Sequence, residues 1–266
     1  MHLTDPLTSL ASPFEPMPDG PDWQWWFDAY EAHMAGYIPN RDQVLQLVHD
    51  VIIGMAPPTA TIVELGAGTG SLAHRIATSL PRATVVAVDL DPLATAIGRH
   101  VLDDADGRLH RLKLDLREPG WHDQLPDEVD VVVSIAALHM LGADRTRQVL
   151  HDVGGRLRAG GLLIDLDWAP PRTGSPRLQQ TLQTLVNAHE TQAAATAFST
   201  HRDTLNAEPQ LAQLDALRRQ RLGHPPGPEP VPLTAEEHRA ALNDAGFFES
   251  MELWRHLELA LIAAVR

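Results

Sequence analysis

The sequence predicts an α/β fold, a parallel sheet with helices on both faces. Three observations predict it. Short apolar strands alternate with amphipathic helical stretches from residue 61 onward. Those strands, such as residues 83–88 and 130–135, are continuously apolar rather than alternating, so both of their faces are covered. The first strand, residues 61–65, runs into glycines at alternate positions and then into a helix.

Residues 1–20 are rich in Pro, Ser and Asp, which predicts a loose arm. In the next stretch Trp23, Trp25, Trp26, Phe27, Tyr30 and Met34 recur at helical spacing. Residues 41–55 form a second helix, with Val44, Leu45, Leu47, Val48, Val51 and Ile52 as its apolar face; Ala56, Pro57 and Pro58 end it. A helix over 71–80 is closed by Pro81, and the strand at 83–88 ends in Asp89. Asp91 and Pro92 are an N-cap and first-turn pair for a helix reaching about Leu102. Strands follow at 108–114 and 130–135, then a helix at 144–158, a turn at Gly160 and Gly161, and a fifth strand at 162–166.

Residues 169–233 break the alternation. Helical patterns at 177–198 and 209–222, joined by a loop and followed by one at 223–228, are too long for a plain connection and predict a cap. Thr234 with Glu237 forms a capping box opening a helix to 245, Gly246 follows its end, and two last strands lie at 247–253 and 257–265. The expected organisation is an arm and lid helix (1–40), a core (41–168), a helical cap (169–233) and a return to the core (234–266).

The 266 residues are 44% apolar and 21% charged, enough for one large core carrying a cap. Lys+Arg is 21 against 35 for Asp+Glu, a net charge of −14, which argues against nucleic-acid and anionic-membrane partners. With no cysteine, disulfides, thiolate nucleophiles and Cys-bound zinc or iron–sulfur centres are excluded. No His lies four residues from another, so no metal site is expected. The longest nearly apolar run, residues 131–141, is interrupted by Ser134 and His139 and is well short of the roughly twenty residues of a membrane span. The N-terminus lacks the basic and apolar regions of a secretory signal, so a cytoplasmic location is expected.

The chemistry is concentrated in Val63-Glu64-Leu65-Gly66-Ala67-Gly68-Thr69-Gly70. Glycines there allow a tight turn and close approach of a ligand. Nineteen residues past Gly70, Asp89 ends the second strand, where a carboxylate can accept hydrogen bonds from both ribose hydroxyls. The spacing is G-x-G-x-G, with Ser71 in the last position of a dinucleotide fingerprint. Glu64 beside the turn repels phosphate and suits an ammonium. A ribose, an ammonium, a sulfonium and no phosphate describe S-adenosylmethionine.

With that segment the chain resembles a class I S-adenosylmethionine-dependent methyltransferase over about residues 40–168 and 234–266. The matching segments come in order: residues 64–70, the ribose strand 85–92, the turn Leu114-Asp115-Leu116, the fourth strand and its loop 130–141, and the fifth strand 157–167. The resemblance implies a Rossmann-like, doubly wound, mostly parallel seven-stranded sheet with an antiparallel final strand. It also implies roles. Glu64, Gly66, Ala67, Gly68 and Gly70 would meet the methionine portion, Asp89 the ribose, and Leu90, Asp115 and Leu116 the adenine. Ser134 would begin the loop beneath the sulfonium, and Tyr30 or Tyr37 would reach the cofactor carboxylate from a lid.

The sulfonium is already a good leaving group, so alignment and exclusion of water are the main tasks. His139 is the candidate base, with a structural histidine as the equal alternative. Trp25 or Trp26, Asp167 and Trp168 are candidate substrate contacts; Asp167 also reads as a helix cap or one half of a core ion pair. His189 and His201 in the insertion are weaker candidates. The expected function is methyl transfer to a small organic acceptor by a monomer or homodimer, releasing S-adenosylhomocysteine. The alternative is a methyltransferase fold performing a non-methylating reaction such as a cyclisation.

Overall fold

The computed structural model describes residues 20–170, 176–195, 202–223 and 230–266. The predicted arm, His201, the side chain of His189 and most of the loop at 223–228 lie outside the described residues. Helix α1 (Trp23–Tyr37) starts at Asp22, whose carboxylate accepts from Trp25 N. Helix α2 (Arg41–Met55) buries Val44, Leu45, Val48 and Ile52, much of the apolar face its spacing predicts. The core then alternates: β1 (Thr61–Leu65), α3 (Ser71–Ser79), β2 (Thr84–Val88), α4 (Pro92–Val101), β3 (Leu109–Leu112), β4 (Val129–Ile135), α5 (Ala143–Arg156) and β5 (Leu157–Trp168). Short 3-10 turns precede β4 (Trp121–Gln124) and follow it (Leu138–Leu141). The cap comprises α6 (Pro176–Ala195), α7 (Arg202–Ala207) and α8 (Pro209–Leu222); α9 (Ala235–Asp244), β6 (Glu249–His256) and β7 (Leu259–Val265) complete the core.

The sheet has seven strands in the order β3-β2-β1-β4-β5-β7-β6. β1 to β5 run parallel, and β7 is antiparallel to both of its neighbours. Alternate residues sort the core into two layers. Val63, Leu65, Val86, Val132 and Leu163 meet Leu150, Val153 and Leu242 on one face. Ile62, Val85, Val131, Val133 and Ile164 meet Val48, Ile52, Leu72 and Ile76 on the other. Covering both faces is what makes these strands continuously apolar.

Three local expectations differ. Gly160 and Gly161 lie inside β5 rather than in a turn, where the β4–β5 register shifts between Val129 and Val131; Gly160 takes φ +76 there. The pairing of β5 with β7 extends the strand to Trp168. Helix α7 falls where a loop is predicted, and its Leu205 joins Trp26, Leu93, Ile97, Leu211 and Leu214 in a third apolar cluster. That cluster seats α1 and the cap on α4, over the carboxyl edge of the sheet. The capping box at Thr234 and Glu237 forms as expected. Among the described residues no helix is long and apolar enough to cross a membrane.

Candidate active site

The carboxyl ends of β1, β2, β4 and β5 converge on one edge. After β1 the chain turns through Gly66, Gly68 and Gly70 at φ +70, +57 and +78, a backbone region that favours glycine. The loop uses its own donors: Gly66 N and Ala67 N bond Val88 O at 2.9 and 3.0 Å, and Gly70 N bonds Ala67 O at 2.8 Å. Gly68 N bonds Asp89 Oδ2 at 2.5 Å. A phosphate needs open backbone N–H groups, and here four of them, at Gly66, Ala67, Gly68 and Gly70, are already donated.

Asp89 is held from both sides, because Asp91 N bonds its Oδ1 at 2.7 Å. Burial and the nearby Asp91 push its carboxyl up to about 6, and the backbone N–H bonds from Asp91, Gly68 and Leu90 work against that rise. The carboxylate is therefore fixed in orientation, with lone pairs left for a diol. Glu64 is buried in β1, and Ala73 N at the start of α3 donates to its Oε2 at 2.9 Å. Burial pushes this carboxyl up to about 8. The expectation of an open carboxylate is thus corrected: Glu64 caps a helix from within the core, and a cation close by would have to draw its proton off.

On the other side of the edge, His139 sits in the 3-10 turn after β4. Its Nδ1 lies 2.6 Å from Asp167 Oδ1, and its backbone N donates to Asp167 Oδ2 at 2.9 Å. Asp167, in β5, is buried and also accepts from Trp168 N. The Trp168 ring lies 4.5 Å from the imidazole, centroid to centroid. An ionised carboxylate only accepts, so Nδ1 carries the proton and Nε2 is the basic nitrogen. Burial opposes the imidazolium, but the Asp167 charge and hydrogen bond outweigh it and hold His139 above the ordinary histidine range. Asp167 serves His139 as an ion-pair partner rather than as a direct substrate contact.

Residues 63–163 match a family model described as a methyltransferase domain. Over those residues, rather more than a third of the chain, the sequence is similar to methyltransferase domains. It is 29% identical to a release factor glutamine methyltransferase of Cereibacter sphaeroides over 134 residues, 41% of this chain and 47% of that protein. It is 31% identical to an uncharacterized methyltransferase of Mycobacterium bovis over 126 residues, 46% of this chain and 59% of that protein. The match thus spans about half the length of these curated relatives. Among solved structures, an S-adenosylmethionine-bound amino pentose methyltransferase from Micromonospora echinaspora aligns with a TM-score of 0.56 at 18% identity, covering 89% of this chain and 96% of that one. A putative O-methyltransferase from Nostoc punctiforme aligns at 0.55 and 19%, covering 98% and 66%.

The sheet edge on the β1–β2 side is closed by α1 and α8. Tyr30 stands over Gly68; burial and the charges of Asp91 and Asp89 raise its hydroxyl well above the ordinary tyrosine value. The next residue, Glu31, was not singled out by sequence reasoning. It accepts from Arg41 Nη1 at 2.8 Å, Thr69 Oγ1 at 3.1 Å and Ser71 Oγ at 3.3 Å, tying α1 to α2 and the glycine loop. Its sequence signal is slight, since Asp28 is a second acid in the same aromatic-rich helix. Asp91 caps α4 through Leu93 N and Ala94 N, as its spacing before Pro92 suggests, and also receives Arg218 Nε of α8 at 2.8 Å.

Several other candidates are placed differently from expectation. Asp115 is held by Arg117 through Nε at 2.8 Å and Nη2 at 2.7 Å; burial opposes ionisation, but these bonds keep the carboxyl below the usual range. The Leu116 carbonyl accepts from Arg145 Nε at 2.6 Å. An adenine would have to share both. Leu90 follows Asp89 and is half-buried, at the position expected for it. Ser134 is wholly buried in β4, paired in register with Leu65 and Asp165, so its side chain is not at the ligand surface. Tyr37 packs near Trp168, with ring centroids 6.4 Å apart, rather than on the glycine loop. Trp26 is 2% exposed within the third apolar cluster, an anchor rather than a substrate contact, whereas its neighbour Trp25 is 40% exposed.

Proposed function

We propose that this chain transfers the methyl group of S-adenosylmethionine to a small organic acceptor, with His139 as the base. The observation that carries this reading is one sheet edge with two stations: Asp89 and the glycine loop at the ends of β1 and β2, and the His139–Asp167 pair at the ends of β4 and β5. When bound, the cofactor supplies a methyl group on a positively charged sulfur. The fit to it rests on the loop's engaged N–H groups and the pre-aligned Asp89 carboxylate.

Asp89 accepts the ribose hydroxyls. Tyr30, Glu31 and Arg218 hold α1 and α8 over that side and exclude water. On the other side, Trp168, Tyr37, Val186 of α6 and Leu259 of β7 line a small recess, with His256 and Glu258 at the same wall. That lining suits an acceptor that is small and partly apolar. His139 Nε2 takes the proton of the attacking group while Asp167 holds the imidazolium, a role worth roughly 10²–10⁴ in rate. The reading therefore favours an acceptor whose nucleophile is protonated at neutral pH, such as a hydroxyl.

Calorimetry with S-adenosylhomocysteine and with NAD, followed by a screen of small hydroxylated acceptors for S-adenosylhomocysteine release, tests the proposal. Binding of the first ligand alone, and turnover that falls in His139→Ala, are the expected results. Binding of NAD in place of S-adenosylhomocysteine would refute it.

A further inference from the structure

Behind the His139–Asp167 pair lies a second histidine–aspartate pair. Asp165 and Asp167 are two residues apart on β5, so their side chains leave the same face of the sheet. His238, on α9, meets Asp165 with Nε2 2.9 Å from Oδ2. Both are buried, at 4% and 3% exposure. A small cavity is lined jointly by His139, Asp165, Asp167, Trp168 and His238. Two polar atoms of the second pair, Asp165 Oδ1 and His238 Nδ1, are buried with no hydrogen-bond partner. Buried polar atoms without partners are rare and point to a function or a bridging water. The cavity, with about 10 Å³ of water-sized space, is just large enough for one.

We propose that His238 and Asp165 form a second dyad coupled to the first, in which His238 acts through Asp165 as a positioning residue that sets the proton affinity of His139. Two carboxylates on one buried strand face repel each other. An ionised Asp165 adds to the negative charge that His139 feels from Asp167. Burial, aided by the Asp167 charge, holds the Asp165 carboxyl above its ordinary range, and the hydrogen bond from His238 is the largest influence keeping it from rising further. Removing the His238 donor lets Asp165 take up a proton, and His139 then loses one of its two stabilising charges. Among the described residues, the titratable groups facing His139 across the shared cavity are Asp165 and Asp167 of β5 and His238 of α9. The Thr146 hydroxyl on α5 is donated to the Leu138 and Gly142 carbonyls, and Tyr37, His256 and Glu258 stand around the second cavity beyond Trp168.

The inference builds on His139 as the base, but it can be tested without turnover. The full chain, without cofactor or acceptor, is titrated while ring signals of His139 and His238 are followed by NMR. Asp165→Asn should lower the His139 midpoint by about half a pH unit or more. His238→Phe should act in the same direction, and His238→Gln, which keeps an N–H toward Asp165, should stay closer to wild type. In the unmodified chain the His238 ring signals should respond as His139 titrates. Equal His139 midpoints in wild type and a folded Asp165→Asn overturn the proposal. If the variants do not fold, a His238 ring indifferent to the His139 titration in the wild type overturns it. A shifted midpoint in a chain that methylates nothing would leave this coupling standing and refute the methyl-transfer reading instead.

Discussion

The Tyr30 hydroxyl occupies the space that a side chain on Gly68 would need: a Cβ there would lie 2.6 Å from Oη. Helix α1 can close on the glycine loop only because residue 68 is glycine. Gly68 also takes φ +57, which costs an alanine about 1 kcal/mol or more. Gly68→Ala should therefore displace α1 and weaken S-adenosylhomocysteine binding about tenfold or more, a loss of about 1.4 kcal/mol or greater. Adding Tyr30→Phe should recover part of the loss by removing the clashing oxygen. Calorimetry on the single and double variants measures both effects; wild-type affinity in Gly68→Ala would show that α1 does not need this contact.

Asp89 makes a second prediction, with a pH signature. Its carboxyl is pushed up to about 6, so it loses its charge as pH falls through that value. A neutral carboxyl is the weaker acceptor for ribose hydroxyls. Affinity for S-adenosylhomocysteine should thus rise between about pH 5 and pH 7 and level off above. Asp89→Ala should lower affinity by roughly 1–3 kcal/mol at pH 7.5 and flatten this part of the pH curve. A variant with the wild-type pH curve would place the ribose elsewhere.

The fold was readable because its determinants are local. Continuously apolar strands, the Asp91-Pro92 start of α4, the capping box at Thr234 and the glycine loop each report on a few neighbouring residues. The placement of Asp89 and His139 at the sheet edge was readable for the same reason, since each lies just past the end of a strand. The partners of these groups were not. Arg117 on Asp115, Arg145 on the Leu116 carbonyl, Arg218 on Asp91 and Glu31 on Thr69 join segments brought together only by the fold or by local rotamers. Helical spacing could place Trp25 and Trp26 on different sides of α1, but the cap decided which one is buried. The same holds for His238, 73 residues from Asp165 in the chain.

Glu64 gives a stability prediction. Its carboxyl sits at about 8 in the folded chain against an ordinary value of about 4.5, raised by burial and partly offset by the Ala73 N–H bond. The folded state therefore holds a proton that the unfolded chain releases across this window. Stability should fall as pH rises from about 4.5 to about 8 and change little beyond, by a few kcal/mol at most from this group. Glu64→Gln keeps a carbonyl oxygen for Ala73 N and cannot ionise. Denaturant unfolding should show it closer to, or above, wild-type stability at pH 8, with a shallower slope between pH 5 and pH 8. An unchanged slope would mean that Glu64 is ionised throughout.

The His139–Asp167 pair makes the kinetic prediction. The base must be neutral to accept a proton, and Asp167 holds the imidazolium above its ordinary range. Turnover should therefore rise with pH, with its acid limb centred above the value of an unperturbed histidine. Asp167→Asn removes the charge and offers a side chain that can present either a carbonyl or an amide to Nδ1. The acid limb should move to lower pH, while the plateau rate falls because the Nδ1–H tautomer and ring orientation are no longer enforced. His139→Ala should cost roughly 10²-fold or more in kcat and leave S-adenosylhomocysteine affinity nearly unchanged. A merely structural histidine would behave otherwise: His139→Ala would lower the melting temperature, and kcat of the folded fraction would hold. Measuring kcat against pH for wild type, Asp167→Asn and His139→Ala, normalised to folded protein, separates the two roles.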